Sequence, residues 1–196
     1  MLAPAPAAAA EPLIVLLIGP PGGGKGTQAE RITKRFGIPP LSTGEVLRAE
    51  VKAGTALGKQ IGEAMSAGKL VEDSIVNGLV AKRIAQPDCA GGFILDGYPR
   101  TLEQARFLQG LLSERKLPQP AVIHLDVPEA ELIKRLTARG RADDKPEVIK
   151  ERLKVYERDT APILKFYASG NYHHIDGAQP IDAVFAVIER ILSKRQ

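Results

Sequence analysis

Short apolar runs separated by longer amphipathic segments dominate the hydropathy pattern of this chain. The runs cover residues 13–18, 93–95, 121–125 and, more weakly, 172–175. The first run, LIVLLI, shows no polar alternation, which is typical of a strand buried on both faces of a parallel sheet. Strands that alternate with helices pair in parallel through right-handed crossovers. The pattern therefore predicts an α/β fold with helices on both faces of a parallel sheet.

Several helix starts are also marked. Ser42 with Glu45, and Thr101 with Gln104, have the spacing of a capping box, in which two side chains bond the free N–H groups of a first turn. Pro128 suits a first turn, where its missing N–H is not needed. These signals predict helices that begin near these three positions.

The C-terminal third contains a polar interruption followed by a long helical pattern. Apolar side chains recur every three or four residues from Ile149 to Tyr167, which predicts one long helix that Pro162 should kink. Residues 139–145, RGRADDK, carry dense charge and no large apolar side chain. We expect this segment to be a short, mobile lid between two helices. The sequence shows no internal repeat and no second domain of independent size.

Composition narrows the possible functions. The 196 residues suffice for one core, and contents of 44% hydrophobic and 26% charged residues are ordinary for a globular protein. A net charge of +4, 5% aromatic residues and no tryptophan argue against a nucleic-acid stacking surface and suit small anionic ligands. The single cysteine, Cys89, excludes an internal disulfide and a thiolate zinc site. We expect it to be a buried thiol without a chemical role.

The first twelve residues are mostly alanine and proline. They lack the charged start and unbroken apolar core of a secretory signal, and the arginine and serine of a transit peptide. The run at 13–18 is too short to cross a bilayer. We therefore expect a disordered tail at 1–12 and a single cytoplasmic domain at 13–196. We expect a monomer without membrane or nucleic-acid partners.

A glycine-rich segment at residues 19–27 carries the clearest chemical signal. It reads GPPGGGKGT, follows the first apolar run and precedes a helical pattern at 28–36. Glycines let successive N–H groups converge on one anion, and a helix N-terminus adds positive potential there. Lys25 supplies a charge for terminal phosphates, and a nearby hydroxyl can serve Mg²⁺. That hydroxyl comes one position later than in the generic P-loop pattern, because Gly26 follows the lysine and Thr27 comes next.

Further segments occur in the order found in one known family. They are LSTGEVLR at 41–48, GKLV at 68–71, FILDGYPRTLEQA at 93–105, and the late pieces 141–144 and 160–162. With the glycine-rich loop, they resemble adenylate kinases and related nucleoside monophosphate kinases over roughly residues 13–193. The resemblance implies reversible transfer of the terminal phosphoryl group of MgATP to AMP, giving two ADP.

The same resemblance implies an architecture. It is a P-loop nucleoside triphosphate-binding fold with a parallel sheet of about five strands. A small helical insert for the monophosphate spans about 42–71, and a short lid spans about 135–146. The lid is too short for the inserted subdomain of many bacterial relatives.

On the ATP side, the resemblance implies a binding set made of the loop, two arginines and a glutamine. Its members are Gly22, Gly23, Gly24, Lys25, Gly26, Thr27, Arg135, Arg139 and Gln179. Thr27 and Asp96 would hold Mg²⁺ through water. Asp96 ends an apolar strand, where a carboxylate can serve the ion; the alternative is an aspartate that only caps a loop.

On the AMP side, the implied set combines arginines with smaller groups around the base. Its members are Thr43, Arg48, Lys69, Leu70, Val71, Gly97, Arg100, Gln104, Arg141 and Arg152. Guanidinium groups bind phosphate bidentately, so Arg48 and Arg100 are expected on the acceptor phosphate. A primary amide can donate to N1 of adenine and accept from its exocyclic amine, so Gln104 reads adenine or, alternatively, only closes a helix cap.

Catalysis by this set would rest on alignment and positive charge. The implied catalytic residues are Lys25, Arg100, Arg135, Arg141 and Arg152. No general base is required, because the attacking phosphate oxygen is already anionic, and we expect His124, inside an apolar strand, to be structural.

The lid charges have a second interpretation. In this alternative, the arginines of the lid are surface charges that pair with Glu131, Glu151 or Asp143. Asp143 and Asp144 are expected to orient the arginines or the water shell of Mg²⁺, or Asp144 caps the helix near Pro146.

Two other functions stay open. A kinase of the same fold that prefers UMP or CMP is one, although Thr43, Thr101 and Gln104 look more like the adenylate version. The other is a nucleotide sensor or switch GTPase, against which the chain has no Asn-Lys-x-Asp guanine-reading motif.

Overall fold

A parallel sheet of five strands forms the centre of the computed structural model, which describes residues 11–195. The strands are β1 (Leu13–Ile18), β2 (Pro40–Ser42), β3 (Gly92–Asp96), β4 (Ala121–Asp126) and β5 (Tyr172–Asp176). Their order across the sheet is β2-β3-β1-β4-β5, and every neighbouring pair is parallel. The predicted α/β fold is confirmed, and all four apolar runs are strands. The predicted tail at 1–12 lies outside the described residues, apart from its last two.

Helices connect and cover the strands. They are α1 (Lys25–Phe36), α2 (Thr43–Ala53), α3 (Ala56–Ser66), α4 (Asp73–Ile84), α5 (Leu102–Glu114), α6 (Glu129–Arg139), α7 (Pro146–Val155), α8 (Ile163–Tyr167) and α9 (Ile181–Leu192). Short 3₁₀ turns follow α4 at Pro87–Cys89 and α9 at Ser193–Arg195. Within residues 11–195, none of these helices combines the length and apolarity that crossing a bilayer demands.

The central strand explains why the first apolar run lacks alternation. Ile14, Leu16 and Ile18 of β1 pack into the core layer that contains side chains of α4 and α5. The intervening residues of β1 pack into the opposite layer, with side chains of α1 and α9. Successive side chains of a strand point to opposite faces of a sheet. Both faces of β1 are therefore buried, and every one of its positions is apolar.

The predicted helix starts are only partly right. Thr101 caps α5 by accepting a hydrogen bond from the backbone N–H of Gln104 at 3.1 Å. Ser42 precedes α2, but its side chain makes no capping hydrogen bond, so the capping box predicted with Glu45 is wrong. Ser42 is also the last residue of β2, whose backbone pairs with β3. Pro128 directly precedes α6.

The single long helix predicted over residues 149–167 is wrong. A π-helical turn at Tyr156–Thr160 separates α7 from α8. In it, the N–H of Ala161 donates to the carbonyl of Tyr156 at 2.8 Å. Pro162 has no N–H and its ring crowds the carbonyl four residues earlier, so a regular helical ladder cannot continue through it. The chain widens one turn before the proline and begins α8 after it.

Candidate functional site

Two adjoining cavities lie at the carboxyl edge of the sheet, where ligands of open α/β sheets bind. The larger measures about 560 Å³ and the smaller about 60 Å³. The loops that follow β1 and β3 and the segment around α6 and α7 line the larger one. Residues of α2 and the segment after α3 line the smaller one. Parallel strands end at a common edge, so segments distant in sequence meet here.

The loop after β1 forms the floor of the larger cavity. It curls so that α1 begins at Lys25, with Gly24 as its N-cap residue at φ +88°. A side chain is strained at that angle, so the position favours glycine. The exposed first turn of α1 directs its free N–H groups into the cavity. All residues of the predicted ATP set line this cavity, including Arg135, Arg139 and Gln179.

Lys25 lies inside this loop. Its Nζ donates hydrogen bonds to the carbonyls of Gly19 and Pro20, at 2.8 Å each. Burial lowers the pKa of Lys25 to about 8; the charge of Asp96 opposes this shift, while Arg100 and Arg152 add to it. The amine is therefore mainly charged at neutral pH, but it titrates closer to neutrality than an ordinary lysine.

Asp96 ends β3 next to the first turn of α1. A Cβ atom built on Gly26 would lie 3.7 Å from its Oδ2, which places the carboxylate close to Gly26, the residue before Thr27. Among residues 11–195, no group of three or more histidine, cysteine or acidic side chains could form a metal cage. Mg²⁺ is usually held by one or two carboxylates together with phosphates and water. A single carboxylate and a hydroxyl at a phosphate loop fit that mode of binding.

Arginines converge where the two cavities meet. Arg48, Arg100 and Arg152 line both cavities. The Nε of Arg100 donates to the carbonyl of Gly97 at 2.7 Å, which turns its guanidinium toward the loop after β3. Burial lowers the pKa of both Arg100 and Arg152. Desolvated guanidinium groups of this kind are poised to bind anions.

Asp144 organises the short segment between α6 and α7. Its carboxylate, 1% exposed, accepts two hydrogen bonds from Arg139, at 2.9 and 2.7 Å, and one from Arg152 at 3.1 Å. It also accepts the backbone N–H of Arg141 at 3.0 Å. The residue before α7 is Lys145, so the alternative of Asp144 as its cap is wrong.

Arginines around this segment also form ion pairs with acidic residues, which was the second interpretation of these charges. Arg135 donates to Glu131 at 2.8 Å, but also to the carbonyl of Gly177 at 3.0 Å across the cavity rim. Arg152 lies 3.0 Å from Asp143. Pairing and a position on the cavity are therefore compatible for these arginines, because carboxylates hold them without removing them from the wall.

The smaller cavity collects the predicted AMP set. All of its members line this cavity except Arg141, which lines the larger one. Thr43 is fixed there by a hydrogen bond from its hydroxyl to the carbonyl of Gly97 at 2.9 Å. Gly97 has φ +74°, and a Cβ there would come within 2.8 Å of a guanidinium nitrogen of Arg100. The glycine thus lets Arg100 lie close to the backbone.

Gln104 is 2% exposed, and its amide is held at both ends. Its Oε1 accepts the backbone N–H of Arg100 at 2.7 Å, and its Nε2 donates to Asp73 Oδ1 at 2.7 Å. The side chain does not return to the N–H of Thr101, so it does not complete a capping box. The side chain of Gln104 therefore does not serve as a helix cap, and its predicted contact with the adenine base stays a prediction.

Sequence reasoning missed several residues of the site. Asp73 contacts Gln104, and its only sequence signal is an acid in a first helical turn just after residue 71. Gln28 lines the larger cavity; it donates to the carbonyl of Ile181 at 3.1 Å, while its buried Oε1 has no partner. The position of Gln28 directly after the glycine-rich loop was the sequence signal that could have identified it. Tyr156 also lines this cavity, from the π-helical turn that the sequence did not predict.

His124 lies behind the site rather than in it. Its Nδ1 is 2.7 Å from the hydroxyl of Tyr172 and its Nε2 is 3.3 Å from the hydroxyl of Tyr156. Burial, together with neighbouring His174, lowers the pKa of His124. A neutral ring between two hydroxyls agrees with the structural role expected from the sequence.

Comparison with known proteins gives consistent matches over most of the chain. A family model described as adenylate kinase matches residues 17–172. An adenylate kinase of Chelativorans sp. strain BNC1 is 50% identical over 92% of this chain and 98% of its own length. Adenylate kinases of Mesorhizobium japonicum and Methylobacterium radiotolerans are each 48% identical, over 91% and 93% of this chain and 96% of their own lengths. The matched region includes the glycine-rich loop, β3 and the segment between α6 and α7.

Proposed function

The chain belongs to the adenylate kinase family, and we propose that it transfers the terminal phosphoryl group of ATP reversibly to AMP, giving two ADP. One observation carries this proposal beyond the family match. The two cavities adjoin, and Arg48, Arg100 and Arg152 form part of the wall of both. A phosphate chain in the larger cavity and a phosphate in the smaller one would meet at these arginines.

The loop residues and Lys25 would hold the donor phosphates. The amine of Lys25 is already inside the loop, bonded to two carbonyls, so a bound phosphate needs only a short movement of this side chain. Arg135 and Arg139 would bind along the same phosphate chain from the lid side, and Gln179 would lie at the rim.

The AMP phosphate would lie against Arg48 and Arg100, and its base near Thr43, Gln104 and residues 69–71. An anionic oxygen of AMP attacks the terminal phosphorus of ATP, and the bond from that phosphorus to the bridging oxygen of ADP breaks. Lys25, Arg100, Arg135, Arg141 and Arg152 would spread positive charge over the transferred group. No protein base takes part in this step, because the attacking oxygen carries no proton that must leave.

Thr27 and Asp96 are the residues that would hold Mg²⁺, through its water shell. The ion would supply charge neutralisation on the donor phosphates. The structural support is the carboxylate of Asp96 beside the first turn of α1.

The segment at about 135–146 would act as a lid. In the structure, Asp144 ties Arg139, Arg141 and Arg152 into one unit, so the arginines can move over the phosphates together. Closure would exclude water, which otherwise would hydrolyse ATP.

A coupled assay with MgATP and each of AMP, UMP, CMP and GMP tests this function. We expect AMP to be preferred, because Thr43 and Gln104 line the base side of the smaller cavity. Turnover of UMP or CMP at the rate of AMP would favour the pyrimidine kinase instead. A complete lack of AMP-dependent ADP formation would favour a nucleotide sensor.

A further inference from the structure

A carboxylate lies behind the amide that faces the smaller cavity. Asp73, the first residue of α4, accepts from Nε2 of Gln104 at 2.7 Å through Oδ1, and from the hydroxyl of Thr101 at 2.8 Å through Oδ2. Asp73 does not line either cavity. Any effect it has on a ligand in the smaller cavity must therefore be indirect, and of its two partners only Gln104 lines that cavity.

These contacts fix which way the amide of Gln104 points. A carboxylate only accepts hydrogen bonds, so the amide must turn its NH₂ toward Asp73. A backbone N–H only donates, so the amide must turn its oxygen toward Arg100. Rotating the amide by half a turn would set oxygen against carboxylate and NH₂ against N–H. Two mismatched contacts at a side chain that is 2% exposed would be costly.

The fixed amide still has one donor and one acceptor to offer. Nε2 carries a second hydrogen, and Oε1 has a second lone pair. Adenine presents a complementary edge, with an acceptor at N1 and a donor at the 6-amino group. A 6-oxopurine presents the reverse, with a donor at N1 and an acceptor at O6. A freely rotating glutamine could pair with either edge, whereas an amide of fixed polarity pairs only with the first.

We propose that Asp73 is a specificity-determining residue, which fixes the amide polarity of Gln104 so that the smaller cavity accepts 6-aminopurine nucleotides and rejects 6-oxopurine nucleotides. This inference rests on the proposed function, because it takes the base of the acceptor nucleotide to lie against Gln104.

The test compares AMP with IMP, which differ at N1 and at position 6, in the variant Asp73→Asn. The variant keeps the shape but allows either an acceptor or a donor to face Gln104. Of the two mismatches that oppose rotation of the amide, only the one with the N–H of Arg100 then remains. We expect the ratio of kcat/KM for AMP to that for IMP to fall at least about tenfold. The KM for ATP should stay unchanged. Since both substrates are measured on one preparation, a partly unfolded variant leaves the ratio unaffected.

Glu72→Gln is the matched control. Glu72 is exposed, precedes α4 and makes its side-chain contact with Ser74 rather than with the site. The substitution removes the same charge at the same helix end. We expect the AMP/IMP ratio of this control to equal that of the wild type.

The outcomes separate the inference from the function on which it rests. If the wild type forms no ADP from ATP and AMP, the proposed function fails. If the wild type uses AMP but Asp73→Asn keeps the wild-type ratio, the proposed function stands and the inference is overturned. Should Asp73→Asn not fold, the wild type itself decides, because turnover of IMP within about tenfold of AMP contradicts a fixed amide.

Discussion

Lys25 is the residue on which the proposed donor site depends most directly. Its amine lies within the loop after β1, and its two hydrogen bonds there go to carbonyls that any amine could satisfy. Losing the amine leaves these two carbonyls without this donor, and that cost is offset because a charge no longer has to be buried. A bound triphosphate would gain a charge at this position that no neighbouring side chain can supply from inside the loop.

We predict that Lys25→Met lowers kcat/KM by at least about a hundredfold, because transition-state charge loses its closest donor. The melting temperature should not fall, since a buried charge is replaced by an apolar chain of similar length. Lys34→Met, an exposed substitution on the same helix, is the control and should keep full activity. Turnover of Lys25→Met at the wild-type rate would refute the role of Lys25.

The lowered pKa of Lys25 also predicts a pH dependence for ATP binding. Phosphate favours the charged amine, so above pH 8 binding must be accompanied by proton uptake. The Kd for ATP should rise as the pH increases from about 8, by up to about tenfold per pH unit. Calorimetry at pH 8.5 in two buffers of different ionisation enthalpy measures the uptake. Proton uptake of equal size in Lys25→Met would contradict this origin.

At the scale of elements, the segment between α6 and α7 is held by one acidic residue. Burial alone would raise the pKa of Asp144, but hydrogen bonds from Arg139 and the Arg141 N–H, with the arginine charges, lower it overall. The carboxylate is therefore stabilised in its charged form in the folded protein. Its contribution to stability is present above the unfolded pKa and is lost as the pH falls through the lowered folded value.

We predict that Asp144→Asn reduces the free energy of unfolding at pH 7 by about 1–3 kcal/mol, because three arginine contacts lose their charged partner. It should also lower kcat and increase proteolysis at residues 140–145. Denaturant unfolding at several pH values gives the stability difference, which should shrink below about pH 4. Asp88→Asn, which breaks an exposed bidentate pair with Arg83, is the control and should change stability little. Equal effects of the two substitutions would show that Asp144 has no special part in the lid.

The helical connection after the segment between α6 and α7 departs from the single helix predicted there. The spacing of apolar residues from Ile149 to Tyr167 fits one face of a helix, and the structure does keep helical turns throughout. The π-helical turn arises because Pro162 removes one donor, while Thr160 bonds the carbonyl of Arg100 at 2.9 Å and holds the chain there. The sequence shows the proline, but it does not show that Thr160 bonds the carbonyl of Arg100.

At the scale of the whole molecule, the two cavities act as one site if both nucleotides bind together. Their shared arginines come from α2, the loop after β3 and α7, so a ligand that spans both cavities would bridge separate parts of the chain. ATP alone or AMP alone would contact fewer of these parts.

We predict that a ligand of two adenosines joined 5′ to 5′ by a phosphate chain stabilises the protein more than ATP or AMP at the same concentration. A ligand present at about a thousand times its Kd adds about 4 kcal/mol to the free energy of unfolding. Thermal unfolding with each ligand in turn measures the difference. Stabilisation by the joined ligand no larger than that by ATP would contradict simultaneous use of both cavities.

Features that are local in the chain follow from the amino-acid sequence alone. Four of the five strands contain the apolar runs. β1 is apolar at every position because both of its faces are buried, whereas β4 contains His124 and β5 contains two histidines. The glycine-rich loop was recognisable because its glycines, its lysine and its threonine all lie within nine consecutive residues. The three-residue β2 escaped because it is too short to form a pattern, and its pairing with β3 decides that it is a strand.

Long-range packing selects the partner of each polar side chain. Gln104 meets Asp73 from 31 residues away, and His124 meets Tyr172 from 48 residues away. Asp144 had cap, metal-shell and arginine partners open to it in the sequence, and its burial between Arg139 and Arg152 selected the arginines. A hydrogen bond acts over about 3 Å, so its partner is chosen by packing that brings distant segments together. Residue types set what each group can bond, and the fold sets what it does bond.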